Sequence, residues 1–96
     1  MIDGLNKIFE SRIRLGIMSI LMVNDWIDFN NLKELLKVTD GNLASHISAL
    51  EKNEYLKIRK EFVGKKTKTS FSSTKLGKQA FKMHINALEK LLKDME

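Results

Sequence analysis

Only three residues, Val38, Thr39 and Asp40, separate two stretches of the chain that have helical periodicity. The first stretch covers about residues 30–36, and the second covers about residues 41–53, with Thr39 as a suitable N-cap. Two helices joined by so tight a turn form a helix-turn-helix unit. The side chains expected to face inward are Leu32, Leu35 and Leu36 on the first helix and Leu43, Ile47 and Leu50 on the second.

A strand–turn–strand pattern follows directly. Residues 55–63 are rich in aromatic and β-branched types, Gly64-Lys65-Lys66 supplies a turn, and residues 67–72 alternate as a return strand. The sequence therefore predicts a two-stranded basic hairpin over about residues 55–72. Upstream, Trp26-Ile27-Asp28 is long enough only for a turn or a small strand.

Helical segments flank this central part. Ser11 is a good N-cap for a helix over residues 11–23 whose two apolar stripes predict burial in the middle of the domain. Leu5, Ile8 and Phe9 predict a short helical turn before it, and Thr74 caps a last helix over about residues 75–93. The prediction is one α+β, mainly helical domain over residues 1–96, which is a normal size for a single core.

The positive charge is concentrated in one segment. The chain carries a net charge of +5, but residues 57–82 alone hold nine basic residues and one acidic residue. Such a stripe indicates a polyanionic partner, nucleic acid first, while the plainer alternative is a solvated lysine-rich face.

Several classes of protein are excluded by what the chain lacks. There is no Cys, so disulfides, thiolate metal sites and thiol sensing are excluded, and a cytoplasmic location is expected. The strongly apolar run over residues 17–23 is too short to span a membrane, and the first residues lack the features of a signal peptide. A glycine-rich phosphate loop, a ligand cluster and a nucleophile–base pair are all missing, so no enzyme, metal or cofactor is predicted.

The order of these elements resembles that of winged-helix DNA-binding domains. The similarity covers nearly the whole chain and is greatest to small transcriptional regulators of the MarR and ArsR groups. One departure is Ser73, where the family usually has a large apolar residue. The resemblance implies a homodimer that binds duplex DNA and regulates transcription. It rests on residues 14–18, 28–32 and 39–47, on Leu50-Glu51 and Tyr55, and on Gly64-Lys65-Lys66, Thr69, Thr74 and Gly77.

The helix over about residues 40–52 is the expected recognition helix, and the hairpin is the expected wing. A helix of this kind reads base edges in the major groove, whereas a basic wing contacts phosphates, which position the protein without specifying sequence. Asn42 can pair with adenine, but this helix face has no Arg or Gln, so modest specificity is expected. The predicted DNA contacts are Gly41, Asn42, Ser45, His46, Ser48, Lys52, Arg59, Lys60, Lys65, Lys66 and Lys68.

Two of these positions have alternative interpretations. Gly41 either lets a phosphate approach the helix N-terminus or serves the chain reversal, and His46 either meets a phosphate or is a partly buried, hydrogen-bonded residue. Asp40 would repel a phosphate and is interpreted as a capping residue. His84 has no second ligand at metal spacing, which excludes a zinc site.

The last helix has more apolar surface than one face needs. One stripe contains Leu76, Ala80, Met83, Ala87 and Leu91. The other stripe is expected to form a dimer interface with the N-terminal segment 2–9, the alternative being burial within the monomer. The predicted interface residues are Ile2, Leu5, Ile8, Phe9, Phe81, Ile85, Leu88, Leu92 and Met95.

Two questions stay open at this point. A winged-helix domain without specific DNA binding could instead dock a protein, because the expected base-facing residues are small. Trp26 and Phe29 either line an apolar effector pocket or, as the preferred interpretation, belong to the core.

Overall fold

The computed structural model describes residues 3–95. Four helices surround a three-stranded antiparallel sheet whose order is β1–β3–β2. A 3₁₀ turn, Lys7–Phe9, precedes the first helix. The helices are α1 (Arg12–Val23), α2 (Phe29–Leu36), α3 (Asp40–Lys52) and α4 (Lys75–Asp94), and the strands are β1 (Ile27–Asp28), β2 (Leu56–Val63) and β3 (Lys66–Ser73).

A polar side chain caps each helix, and three of the four caps are those that the sequence predicts. Ser11, Thr39 and Thr74 cap α1, α3 and α4 by accepting hydrogen bonds from the backbone N–H three residues on, and Asp28 does the same for α2. Residue Lys37, with φ of 53°, ends α2 in the left-handed conformation. Local hydrogen bonds therefore determine where the helices of the helix-turn-helix unit begin and end, independently of their packing.

The sheet contains one strand more than the predicted hairpin. Ile27 pairs with Phe71 and Asp28 with Ser70, which adds β1 to the edge of β3. The hairpin itself pairs Leu56 with Ser73 at its base and Val63 with Lys66 at its tip. Gly64, with φ of 67°, takes the first position of the two-residue turn, where a positive φ favours glycine.

The core lies where α1, α3 and the base of the hairpin meet. Ile17, Met18 and Leu21 of α1 are buried, which confirms the predicted burial of this helix. Leu43, Ile47 and Leu50 are also buried, as predicted. Leu35 is a correction: it is 62% exposed, because the inner face of the short α2 is filled by Leu32 and Leu36.

The rotation of α4 also differs from the prediction. Phe81 is buried and packs edge-on against the buried ring of Phe9, 5.4 Å away. These two residues belong to the monomer core and are removed from the predicted dimer interface, and Ile85 packs against the same core. Leu76 and Met83, expected to face inward, are 48% and 62% exposed.

Two contacts explain this rotation. At Gly77 an added Cβ would lie 2.0 Å from the backbone oxygen of Tyr55, so α4 approaches the chain where only glycine fits. Two helical turns further on, Nδ1 of the buried His84 accepts a 3.0 Å hydrogen bond from the N–H of Asn6. Asn6 also donates to the Tyr55 hydroxyl, so the N-terminal segment is fixed between α4 and the hairpin base.

Candidate nucleic-acid interface

The exposed face of α3 is defined by what its other face buries. Leu43, Ile47 and Leu50 lie in the core, so 100° steps turn the remaining positions outward. The predicted contact residues Gly41, Asn42, Ser45, Ser48 and Lys52 are all exposed. This face is polar and carries small side chains, which lets another molecule come close to the helix.

An ion pair spans the turn between α2 and α3. The cap of α3 is Thr39, and Asp40 is the first helical residue, so the interpretation of Asp40 as the cap is wrong by one position. Its carboxylate lies 2.6 Å from the Lys33 ammonium on α2. Lys33 thereby offsets the negative charge that Asp40 would otherwise present beside α3.

His46 connects α3 to the rest of the molecule. Its Nδ1 lies 2.9 Å from a guanidinium nitrogen of Arg14, and Arg14 also donates to the backbone oxygen of Ile8. A guanidinium only donates, so His46 accepts through Nδ1 and is neutral with its proton on Nε2. Partial burial lowers the pKa of His46 below its usual value, and the charge of Arg14 lowers it further.

This geometry supports the predicted alternative in which His46 is a partly buried, hydrogen-bonded residue. Its partner is the side chain of Arg14 rather than backbone. The Arg14 guanidinium joins the 3₁₀ turn, α1 and α3 in one contact. His46 therefore contributes to the placement of α3, while the more exposed residues of that helix remain available to a ligand.

The hairpin divides its basic residues between two faces. Side chains alternate along a strand, and Leu56 and Ile58 face the core side, so Lys60 and Phe62 share that side. Lys60 and its cross-strand partner Thr69 line a depression of about 300 Å³ together with Ser48 and Glu51 of α3. The recognition-helix candidate and one face of the wing thus form a continuous surface.

The opposite face of the hairpin lies over Trp26. The Arg59 guanidinium is 4.1 Å from the centre of the Trp26 ring, and its Nε donates to Glu61 at 3.1 Å. The Lys57 ammonium is 5.6 Å from the same ring. Arg59 therefore makes both a cation–π contact and an ion pair. The predicted DNA contacts of the wing lie on two faces: Lys60 faces α3, whereas Arg59 and Lys68 line an open cleft of about 470 Å³ beside Trp26.

The remaining predicted positions are at the tip or in the interior. Lys65 occupies the turn and Lys66 the first position of β3, and both are exposed. Phe29 packs against the core near Phe71, as expected, whereas the prediction is wrong for Trp26, which is half-buried beneath Arg59 and lines the open cleft. Ile2, named in the predicted dimer interface, lies outside the described residues.

Residues 3–95 contain neither a candidate metal site nor a membrane-spanning helix. No group of three potential metal-ligating side chains occurs in this part of the chain. None of its helices is long and apolar enough to cross a membrane.

Sequence reasoning missed three residues of this region. Arg14 carries no such signal, because its partner His46 lies on another helix 32 residues away. For Trp26 the signal is the cationic side chains of the hairpin, which can lie over an aromatic ring. Phe62 is the third: it interrupts the basic tip of the hairpin, and it is 82% exposed.

Known proteins share this architecture. The family model described as a winged helix DNA-binding domain matches residues 13–92. An uncharacterized protein of Methanocaldococcus jannaschii, MJ0432, is 37% identical over 90 residues, which cover 94% of this chain and 98% of that protein.

Solved structures agree with this match. A transcriptional regulator homologue from Pyrococcus horikoshii OT3 superposes with a TM-score of 0.87 at 28% identity, covering 95% of this chain and 90% of that one. A Bacillus cereus ATCC 10987 protein, described as a MarR-like transcription regulator, superposes with a TM-score of 0.73 at 20% identity, covering 97% and 69%. The chain belongs to the winged helix DNA-binding domain family, with the fold of MarR-like transcriptional regulators.

Proposed function

We propose that this protein is a transcriptional regulator that binds duplex DNA as a homodimer, with α3 in the major groove and the hairpin on the phosphate backbone. The observation that carries the proposal is the continuous surface formed by the exposed face of α3 and the Lys60 face of the wing. A B-DNA major groove admits one helix, and a basic ribbon beside that helix would follow the adjacent backbone.

The proposed base contacts come from a short set of polar side chains. Asn42 can pair with adenine through two hydrogen bonds, and Ser45 and Ser48 can donate to or accept from several bases. All three are exposed on α3. Without Arg or Gln on this face, direct reading of bases contributes modest specificity, and phosphate contacts supply most of the affinity.

The start of α3 suits a phosphate. Nothing lies within 4 Å of the position where a Cβ on Gly41 would sit, so a phosphate could reach the free amide N–H groups of the first turn. The ion pair of Asp40 with Lys33 reduces the repulsion that the carboxylate would exert there.

The proposed dimer uses the far end of α4. Beyond Ala87 no described residue of α4 is buried, and Leu88, Leu92 and Met95 are 36%, 64% and 81% exposed. The chain measures 55 Å in its longest direction, and its radius of gyration of 14.6 Å exceeds the roughly 12.5 Å of a compact domain this long. An apolar helix end that projects from the domain would be covered by the same segment of a second copy, together with Leu5, while Ile8, like Ile85, packs against the monomer core.

A two-fold dimer would place two copies of α3 about one DNA turn, roughly 34–36 Å, apart and predicts a pseudo-palindromic binding site.

Sedimentation tests whether the protein is a dimer. At micromolar concentration the wild type should sediment at about 22 kDa, twice the chain mass of 11.1 kDa. Leu92→Glu should shift it towards the monomer, whereas Val23→Glu, at an apolar and even more exposed site on α1, should not. A stable 11.1 kDa wild type would remove the dimer from the proposal.

Fluorescence anisotropy on random duplex DNA across a salt series tests DNA binding itself. Affinity should rise steeply as salt falls, and Lys65→Ala/Lys66→Ala should reduce the slope of log K against log salt by about 0.9 for each lost phosphate contact. Absence of binding at low salt would contradict the proposal and favour the alternative of a protein-docking module.

A further inference from the structure

The tip of the wing carries an exposed aromatic side chain. Phe62 is 82% exposed, as much as any large apolar residue in residues 3–95, and its cross-strand partner is Thr67. The last pair formed by β1 is Asp28 with Ser70, so the ribbon continues as two strands for three residues to the level of Phe62. At about 3.3 Å per residue, the ring stands roughly 10 Å beyond the three-stranded part of the sheet.

Phe62 lies on the side of the wing that faces α3. It is two residues from Lys60 on β2 and so shares its face, and Lys60 lines the depression with Ser48 and Glu51. The aromatic ring and the exposed face of α3 are therefore turned towards the same space, and a ligand lying along α3 would meet the ring at its edge.

The charges around the ring indicate what that ligand is. Lys60 shares the face of the ring and Lys65 lies in the adjacent turn, and both are exposed, while Lys66 and Lys68 are exposed on the opposite face. The hairpin has a single acidic residue, Glu61, and its carboxylate pairs with Arg59 on the opposite face. An apolar ring among ammonium groups fits a ligand with an anionic rim and an apolar interior, which describes phosphates flanking stacked bases.

We propose that Phe62 is a wedge that enters the DNA minor groove next to the segment occupied by α3 and partly unstacks one base step. This inference rests on the proposed DNA-binding function. Apolar side chains, Phe among them, act in this way in proteins that bind and kink the minor groove. An anionic membrane has a similar rim and interior, but the same face of the molecule carries the polar residues Asn42, Ser45 and Ser48, which favours nucleic acid.

The wedge supplies specificity that α3 lacks. Pyrimidine–purine steps such as TA unstack easily, whereas A-tracts are stiff. A wing that unstacks a step therefore selects for a flexible step at a position where no hydrogen bond reads a base. The residues of α3 and the ring of Phe62 would then specify different parts of one site.

The test uses two A·T-rich duplexes of about 30 base pairs, long enough for two half-sites and their flanks. One contains TA steps with 2-aminopurine replacing adenine, and the other contains the same bases as A-tracts. Wild type should bind the TA duplex more tightly and raise its 2-aminopurine fluorescence. Phe62→Ala should bind it about tenfold more weakly, without the fluorescence rise and with an unchanged salt slope, because the ring neutralises no phosphate.

Two control variants test whether the effect is specific to the Phe62 ring. Val63→Ala changes the neighbouring residue, which is 60% exposed and faces the other side of the ribbon, and it should keep both the affinity and the fluorescence rise. Phe62→Leu should retain part of both.

Three results would overturn the wedge. If Phe62→Ala binds and unstacks as the wild type does, the wedge is wrong while DNA binding stands. If the wild type binds no duplex at low salt, the proposed function fails and the wedge with it. If Phe62→Ala instead loses binding only to vesicles containing phosphatidylglycerol, the ring is a membrane contact.

Discussion

The two ends of the hairpin consist of similar residues in different surroundings. At the base, Leu56 and Phe71 are almost completely buried, and Thr74 donates to the backbone oxygen of Glu54 just beside them. At the tip, Phe62 and Val63 are exposed among lysines. Both ends have continuous backbone pairing, so the ladder alone does not determine burial. The base contributes to folding, while the tip contributes little and is free to bind.

The first prediction compares one phenylalanine from each end. Phe71→Ala should lower the free energy of unfolding by about 3–5 kcal/mol, because it leaves a cavity between the sheet and the helices. Phe62→Ala should change it by less than about 0.5 kcal/mol, since exposed side chains contribute little. Urea denaturation followed by circular dichroism measures both. Equal losses would contradict the separation of the two ends.

The second prediction concerns the closest backbone approach at the base. Gly77→Ala should lower the free energy of unfolding by about 3 kcal/mol, because the new methyl group would overlap the backbone of Tyr55 and force α4 outward. Gly41→Ala is the control in the first turn of α3, where there is open space. There, alanine should stabilise by about 0.5 kcal/mol through its better helix propensity. A harmless Gly77→Ala in thermal unfolding would show that α4 sits elsewhere.

The third prediction removes a polar atom from the base. The Ser73 hydroxyl is buried and has no hydrogen-bond partner among the described residues. Ser73→Ala should therefore raise the free energy of unfolding by about 1 kcal/mol. The control is Ser72→Ala on the other, half-exposed face, which should be neutral. A destabilised Ser73→Ala would mean that this hydroxyl is hydrogen-bonded in solution.

The fourth prediction tests His46, which places α3 without being part of the wing. The folded state lowers the pKa of His46, so the unfolded state takes up its proton first as pH falls. This residue's contribution to stability is complete above about pH 6.5 and is lost as pH falls through the lowered pKa. His46→Gln keeps an acceptor for Arg14 but does not titrate, so its stability should fall less between pH 7 and 5. Parallel pH curves for the two proteins would contradict this role.

The sequence predicts the order of helices and strands better than it predicts which face of each element is buried. The caps Ser11, Thr39 and Thr74 and the helical periodicity locate the helices, and the glycine turn locates the hairpin. Strand β1 is missed as a definite element because two residues carry no periodicity. The sequence does not predict the rotation of α4, because both of its stripes are apolar. Contacts of Gly77 and His84 with distant residues determine which stripe is buried.

In the candidate site, too, some features could be predicted from the sequence and others could not. The exposed residues of α3 follow directly from the inward-facing leucines and isoleucine. The wing residues were predicted as one group, although Lys60 and Arg59 lie on opposite faces of β2. The sequence alone could have shown this, because side chains alternate between the faces of a strand with a period of two residues. The pairing of Arg14 with His46 could not be predicted in this way, because it joins two helices 32 residues apart.

The central claim is that DNA lies on the side of the wing that faces α3. Lys57 and Lys60 test it directly: both are exposed on β2, but they lie on opposite faces. The measurement is the salt dependence of duplex-DNA affinity for wild type, Lys60→Ala and Lys57→Ala. The account predicts that Lys60→Ala lowers the slope of log K against log salt by about 0.9 and that Lys57→Ala leaves it unchanged. Equal reductions in both variants, or a reduction only in Lys57→Ala, would contradict it.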